Sequence, residues 1–332
     1  MKFKTLYLMD ADAYATAFGP KETNELARMA EFVSGPHTAR SLATAGAELA
    51  QVQAIFSGWG VPPMNTEFLA RFPSLKIVFH SAGSVKSFVT DQLWQRGIRV
   101  TCAARINAIP VAEFTLSQVI FCLKHGWQRV REIREGKRFR KEDEYTYGCS
   151  GTTVGILSFG HTGRLVAEQL RILDVRIVGY DPFLSAAEAT ALGIELLPLD
   201  EVFAQSDVVT CHTPHLPETT GLLGAAQFAR MKSGATFINT ARGALVRETE
   251  LCDVLQQRTD LFALLDVTDP EPPAPGSPLL SLPNVIITPH IAGSLGLECR
   301  RMGRMMIQDF HRYLRSEPLE GEVFPSQLPS LA

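Results

Sequence analysis

Three polar residues stand just beyond short apolar runs, where a chain leaves a strand and its side chains can meet a ligand. Arg242 follows ATFINTA and is turned by Gly243; its planar guanidinium can grip a carboxylate through two parallel bonds and polarise a neighbouring carbonyl. Glu271 lies in the proline-braced loop DPEPPAPGSP, and His290 follows NVIITP, so stiff backbone flanks both. A carboxylate beside an imidazole stabilises the protonated ring and fixes its tautomer, and such a ring can donate a proton. Arg242, Glu271 and His290 together suit hydride transfer to a 2-oxo acid: the first holds substrate, the third protonates the forming alkoxide, and the second tunes the third.

Hydride chemistry needs a nicotinamide, and a dinucleotide needs a βαβ unit to hold it. Residues 151–182, GTTVGILSFGHTGRLVAEQLRILDVRIVGYDP, read as strand, tight turn, helix and strand. Gly160 and Gly163 occupy the second and third places of the GxGxxG fingerprint, with Ser158 in the first. Phe159, His161 and Thr162 complete a turn whose backbone and helix start would meet the pyrophosphate. Asp181, followed by Pro182, closes the second strand where a carboxylate accepts from ribose hydroxyls. That carboxylate would repel the extra phosphate of NADP and no Arg follows it, so NAD(H) is the expected cofactor. Further cofactor contacts are expected from Thr213, Pro214 and Thr219 in HTPHLPETT, from Thr240 and Ala241 before Arg242, from Asp266 ending LFALLDV, and from Gly293 after His290. His212 reads as structural, and His80 ends a strand with no partner evident in the sequence.

The elements that must position these groups alternate. Before residue 103, KTLYLM, QAIFSG, LKIVFH and IRVTC are strand-like, with NELARMAEFV, NTEFLARF and SFVTDQLWQRG amphipathic beside them; residues 35–51 are ambiguous and read as mostly helical. NAIPVAEFTLSQVIFCLKHGWQRVREIR reads as one long helix into a second set of βα units, and the amphipathic tail LECRRMGRMMIQDFHRYLR as a helix returning to the first domain. The expected division is a discontinuous substrate domain, 1–103 with 295–332, and a nucleotide domain, 104–294.

At 332 residues two domains are the natural reading. A net charge of −3 gives no reason to expect nucleic acid, and the basic stretch in 134–144 is followed at once by acids, as a solvated loop would be. The six cysteines are scattered, which fits reduced thiols in the cytoplasm and neither a disulfide framework nor a metal site. The apolar run at the start ends at Asp10, too short for a signal peptide, and no run is expected to span a membrane.

With NAIPVAEFTL, VGILSFGHTGRLVA, HTPHLPETTGLL, MKSGATFINTARGALV, LLDVTDPEPP and NVIITPHIAG in order, the chain resembles the D-isomer-specific 2-hydroxyacid dehydrogenases. The resemblance implies an α/β protein of two Rossmann-like domains, a flavodoxin-like substrate domain and a doubly wound NAD-binding domain, with the active site in the cleft and a homodimer built on the cofactor domain. It places the family's Arg, Glu and His on Arg242, Glu271 and His290, and its carboxylate-binding loop on Ala82 and Gly83. Ser158 stands where the family usually has Gly, and Arg138 where it usually has Trp. DVTDPEPP with PLLSLPNV is similar to glyoxylate and hydroxypyruvate reductases, which makes a small 2-oxo acid the expected substrate and its D-2-hydroxy acid the product. A second class stays open: a dinucleotide-sensing binding protein, similar to the corepressors that share this fold.

Overall fold

The computed structural model describes residues 2–136 and 148–330; the basic stretch beyond residue 136 and Arg138 lie outside them. The chain separates into two units, Met1–Ala108 with Ser294–Leu331 and Ile109–Gly293.

In the first unit, strands β1 (Phe3–Leu8), β2 (Ala30–Phe32), β3 (Ala54–Ser57), β4 (Ile77–His80) and β5 (Arg99–Cys102) form a parallel sheet in the order 5-4-3-1-2. The two-residue strand Glu322–Val323 adds antiparallel to the outer edge of β5. This is the doubly wound order of flavodoxin-like sheets, whose connections run along both faces. Runs such as IVFH show no polar alternation because both faces are covered; all four residues of β4, His80 included, are buried. Two differences from the sequence pattern appear here. NELARMAEFV divides into a helix, Pro20–Met29, and the edge strand β2. Residues 35–51 hold only short pieces of helix, Ala39–Leu42 and Ala47–Gln51.

Helix α1 (Ala104–Leu123) begins in the first unit and continues into the second. The single long helix expected over residues 107–134 is instead two: after α1 the chain leaves helical geometry at His125, with φ of 52°, and resumes as α2 (Gly126–Arg134). The Phe121 ring lies over the bare backbone of Gly126, where a Cβ would come within 2.4 Å of it. By length and composition alone α1 passes for a membrane span, although polar residues interrupt its apolar run. Its apolarity has a local use, because Ala112, Val119, Cys122 and Leu123 pack into the core of the second unit.

The second unit holds β6 (Thr152–Leu157), β7 (Val175–Tyr180), β8 (Glu195–Leu196), β9 (Val208–Cys211), β10 (Thr236–Asn239), β11 (Phe262–Leu265) and β12 (Val285–Ile287), all parallel, in the order 12-11-10-9-6-7-8. The winding reverses between β6 and β9. Helix α3 (His161–Leu170) follows β6 and buries Val166, Ala167 and Leu170 on the sheet. Among the described residues the tail forms helix α4 (Cys299–Leu314) against the first sheet, and Phe310 near its C-terminal end packs edge-on to Phe56 and Phe79. A buried ring of that kind contributes roughly 1.5–3 kcal/mol. All six cysteines are free.

Candidate active site

Register decides which residues share an edge. Leu157 pairs with Cys211, Cys211 with Asn239, Asn239 with Leu265, and Leu265 with Ile287, so five strands end level. Everything expected to do chemistry in this unit leaves from that carboxyl edge, where open parallel sheets bind their ligands.

The fingerprint turn comes first. Ser158 has φ of 70°, the left-handed region in which glycine is at ease, and its backbone is held by a bond from its N–H to the Tyr180 carbonyl, 2.8 Å. The Ser158 and Thr213 hydroxyls are 3.0 Å apart, tying the turn after β6 to the loop after β9 across the point where the winding reverses. Gly163 is obligatory: a Cβ there would lie 2.0 Å from the Ser158 carbonyl oxygen. Gly160, which precedes α3, has the opposite environment, for a Cβ would meet nothing within 4 Å and no side chain caps the helix. Space over an uncapped helix start fits a pyrophosphate, with backbone N–H groups and the helix dipole favouring the anion.

Asp181 accepts from the Phe159 N–H at 2.7 Å and the Phe183 N–H at 2.8 Å, so its carboxylate braces the turn and its own loop. Each oxygen keeps a further lone pair that could serve ribose hydroxyls. Pro182 and His161 are exposed and Thr162 half-buried. Thr219 uses its proton on the Pro214 carbonyl, 2.7 Å, and accepts from the Leu216 N–H, 2.9 Å, which closes the 213–219 loop on itself. Thr240 is buried within reach of Thr115 and His212, and burial pushes the His212 ring down to about 3, leaving it neutral.

Arg242, Glu271 and His290 come together. His290 Nδ1 is 2.6 Å from Glu271 Oε1, and with both side chains partly exposed the pair can reach a ligand. Arg242 is close enough for the Glu271 charge to favour its cation, against burial, which pushes its pKa down. Asn239 shapes the Arg242 turn by donating to the Arg242 carbonyl at 2.9 Å and accepting from the Ala241 N–H at 3.0 Å. The guanidinium itself bonds the Ala241 carbonyl at 2.6 Å. Gly243 then runs so close to the Thr268 backbone that a Cβ would fall 2.0 Å from its carbonyl carbon, which presses the Arg242 turn against the segment leading to Glu271.

Asp266, expected from the sequence as a cofactor contact, is seen here as a brace. It is almost fully buried and accepts from Thr288 Oγ1 at 2.6 Å, from the Ile291 N–H at 2.9 Å and from the Ala292 N–H at 2.9 Å. These bonds, with one from the His290 N–H to the Asp266 carbonyl, 2.9 Å, clamp the loop that presents the imidazole and ends at half-buried Gly293. His290 itself has φ of 54°. The roles of Asn239 and Asp266 had one faint signal: side chains of this type at strand ends commonly bond backbone a few residues on.

In the first unit, Ala82 and Gly83 follow β4. The Ala103 N–H bonds both the His80 and Ala82 carbonyls at 3.1 Å, and a Cβ on Gly83 would press on the Asn107 amide at 3.0 Å. Among the described residues no group of His, Cys, Asp and Glu is arranged to hold a metal.

Comparison with known proteins agrees with this architecture. The family profile of the D-isomer specific 2-hydroxyacid dehydrogenase, NAD binding domain, matches residues 116–292. A D-3-phosphoglycerate dehydrogenase of Archaeoglobus fulgidus is 34% identical over 80% of this chain and 51% of its own length. The TT0316 protein of Thermus thermophilus superposes with a TM-score of 0.76 at 27% identity, covering 97% of this chain and 100% of that one. A phosphoglycerate oxidoreductase from Rhizobium etli superposes with a TM-score of 0.82 at 24% identity, covering 99% and 100%. The chain belongs to the D-isomer-specific 2-hydroxyacid dehydrogenase family, and the segment matched is that family's NAD-binding domain. It spans about half the length of the curated relatives it matches.

Proposed function

We propose that the protein is an NAD(H)-dependent reductase that converts a small 2-oxo acid to the D-2-hydroxy acid. One observation carries this: a partly buried guanidinium and a carboxylate-bonded imidazole converge on the carboxyl edge of a sheet whose fingerprint turn is built for a dinucleotide.

Bound NADH supplies the hydride that reaches the substrate's carbonyl carbon. Arg242 binds the substrate carboxylate and polarises the carbonyl, and its position is held from behind by Asn239 and Gly243. His290 gives up a proton to the carbonyl oxygen as negative charge develops there, from the ring nitrogen that does not face Glu271. Glu271 keeps the ring oriented and balances the imidazolium before transfer; Asp266 keeps the loop in place. The proton on oxygen and the hydride on carbon complete the hydroxy acid, and the ring recovers its proton from solvent.

Glyoxylate and hydroxypyruvate are the substrates we favour, from the DVTDPEPP and PLLSLPNV segments. The test is NADH consumption with glyoxylate, hydroxypyruvate, pyruvate, phosphohydroxypyruvate and bulkier 2-oxo acids, with NADPH in parallel. Reduction of at least one acid is expected, with Arg242→Ala losing nearly all of it. No turnover with any acid, or an unimpaired Arg242→Ala enzyme, overturns the proposal, and tight NADH binding without turnover would turn attention to a dinucleotide-sensing role. The same reading carries a homodimer built on the NAD-binding domain, supported by exposed apolar side chains on consecutive helices, Phe121 at 39% and Ile133 at 49%. Sedimentation should show twice the chain mass, and a monomer throughout would remove this part.

A further inference from the structure

Ser158 stands first in the fingerprint with φ of 70°, a conformation that glycine adopts at no steric cost. Any other residue keeps it only where the surroundings over-determine it. The Ser158 N–H donates to the Tyr180 carbonyl at the end of β7, 2.8 Å. Its carbonyl oxygen lies against Gly163 in the first turn of α3, so close that a Cβ there would be 2.0 Å away. Its hydroxyl is 3.0 Å from that of Thr213, which follows β9, and both residues are buried. The His212 N–H donates to the Leu157 carbonyl at 2.9 Å, so the two chains leave the sheet side by side before the hydroxyls meet. All of these residues belong to one unit. A glycine at 158 would keep the restraints made by backbone and lose the hydroxyl pair. That pair is therefore what the serine adds, and it joins the turn after β6 to the loop after β9 where the winding reverses.

We propose that Ser158 and Thr213 are positioning residues for the dinucleotide: their hydroxyl pair fixes the fingerprint turn against the loop after β9, so that the pyrophosphate meets N–H groups already aimed at it. This rests on the reading of the 158–163 turn as the dinucleotide site. Ser158 is the residue through which the start of α3 is set, because its carbonyl packs directly on the Gly163 backbone. Without the pair, the turn would spread over several arrangements. Binding would then have to select one of them, and affinity falls in proportion to the share of time that one is present.

The hydroxyl pair and the backbone cost can be removed separately. Ser158→Ala loses the pair and keeps the cost; Ser158→Gly loses both; Thr213→Val loses the pair and leaves Ser158 and the packing volume nearly intact. NADH binding followed by its fluorescence, with melting of the ligand-free protein in parallel, distinguishes positioning from stability. The Kd for NADH should rise about 5-fold in each variant, the effect of one typical hydrogen bond. Ser158→Ala combined with Thr213→Val should bind no more weakly than the weaker single variant, because both changes remove the same bond. Ser158→Gly should melt above Ser158→Ala while its Kd stays raised, a split that a role in stability alone does not produce. Ser158→Gly binding NADH as tightly as the parent, or rises in Kd that multiply in the double variant, overturns the assignment; if Ser158→Ala fails to fold, an unchanged Kd in Thr213→Val does so. A parent that binds no NADH overturns the reading of the turn instead, and the two failures are therefore told apart by the parent's own binding.

Discussion

At the scale of single residues, proton donation and loop bracing can be separated. Replacing His290 with Gln keeps a polar group of similar reach and removes the acid, so kcat should fall on the order of 100-fold or more while the Kd for NADH stays near the parent value. Asp266 allows a sharper test. Its carboxylate receives three donors from the protein itself, so Asp266→Asn, which sets an NH2 group against at least one of them, should destabilise the ligand-free protein by about 1–3 kcal/mol in chemical denaturation. A residue serving only as a cofactor contact would leave that ligand-free value unchanged. Ser158 occupies a left-handed position that costs a non-glycine residue roughly 1–2 kcal/mol, and its hydroxyl bond to Thr213 offsets part of this. Ser158→Ala keeps the awkward backbone and loses the bond, so its melting temperature should lie below that of the parent.

Turns and strand ends carry the next level of control. Gly243→Ala drives a Cβ into the Thr268 backbone, which cannot give way as a flexible side chain would. The expected outcome is a stability loss of about 1–3 kcal/mol with a fall in kcat/KM much larger than in the NADH Kd, because the Arg242 turn moves while the fingerprint turn does not. Much of this level was legible in the sequence. Apolar runs such as VGIL, TFIN and FALL were plain as parallel strands because burial on both faces leaves no polar alternation, and the turns after them carried Gly, Pro and Asn in telling places. The misses have local causes. Ala30–Phe32 follows a helix without any breaker between them, so its pattern merged with the helix. The break at His125 sits at a non-glycine residue with positive φ, and nothing in the apolar pattern on either side of it marks that position. The bonds from Asp266 to residue 288 and beyond needed the register of β11 against β12, which spacing alone does not provide.

Taken whole, the molecule should lose stability on mild acidification. His80 and His212 are held down to about 4 and about 3, against 6.5 in an open chain, so between pH 6.5 and those values the unfolded chain takes up protons that the folded one refuses. The stabilising effect is complete above pH 6.5 and declines as pH falls, by up to about 1.4 kcal/mol per pH unit for each ring. Denaturation midpoints at neutral pH and near pH 5 should show the decline, and His80→Gln should flatten part of it; a midpoint indifferent to pH in this range would count against buried neutral rings. Among the described residues, the side chains to which the proposed function gives proton transfer and the grip on the acid lie in one uninterrupted stretch, Asn239 to His290, within a single unit. On that reading, a change confined to the other unit leaves every one of these side chains as it was.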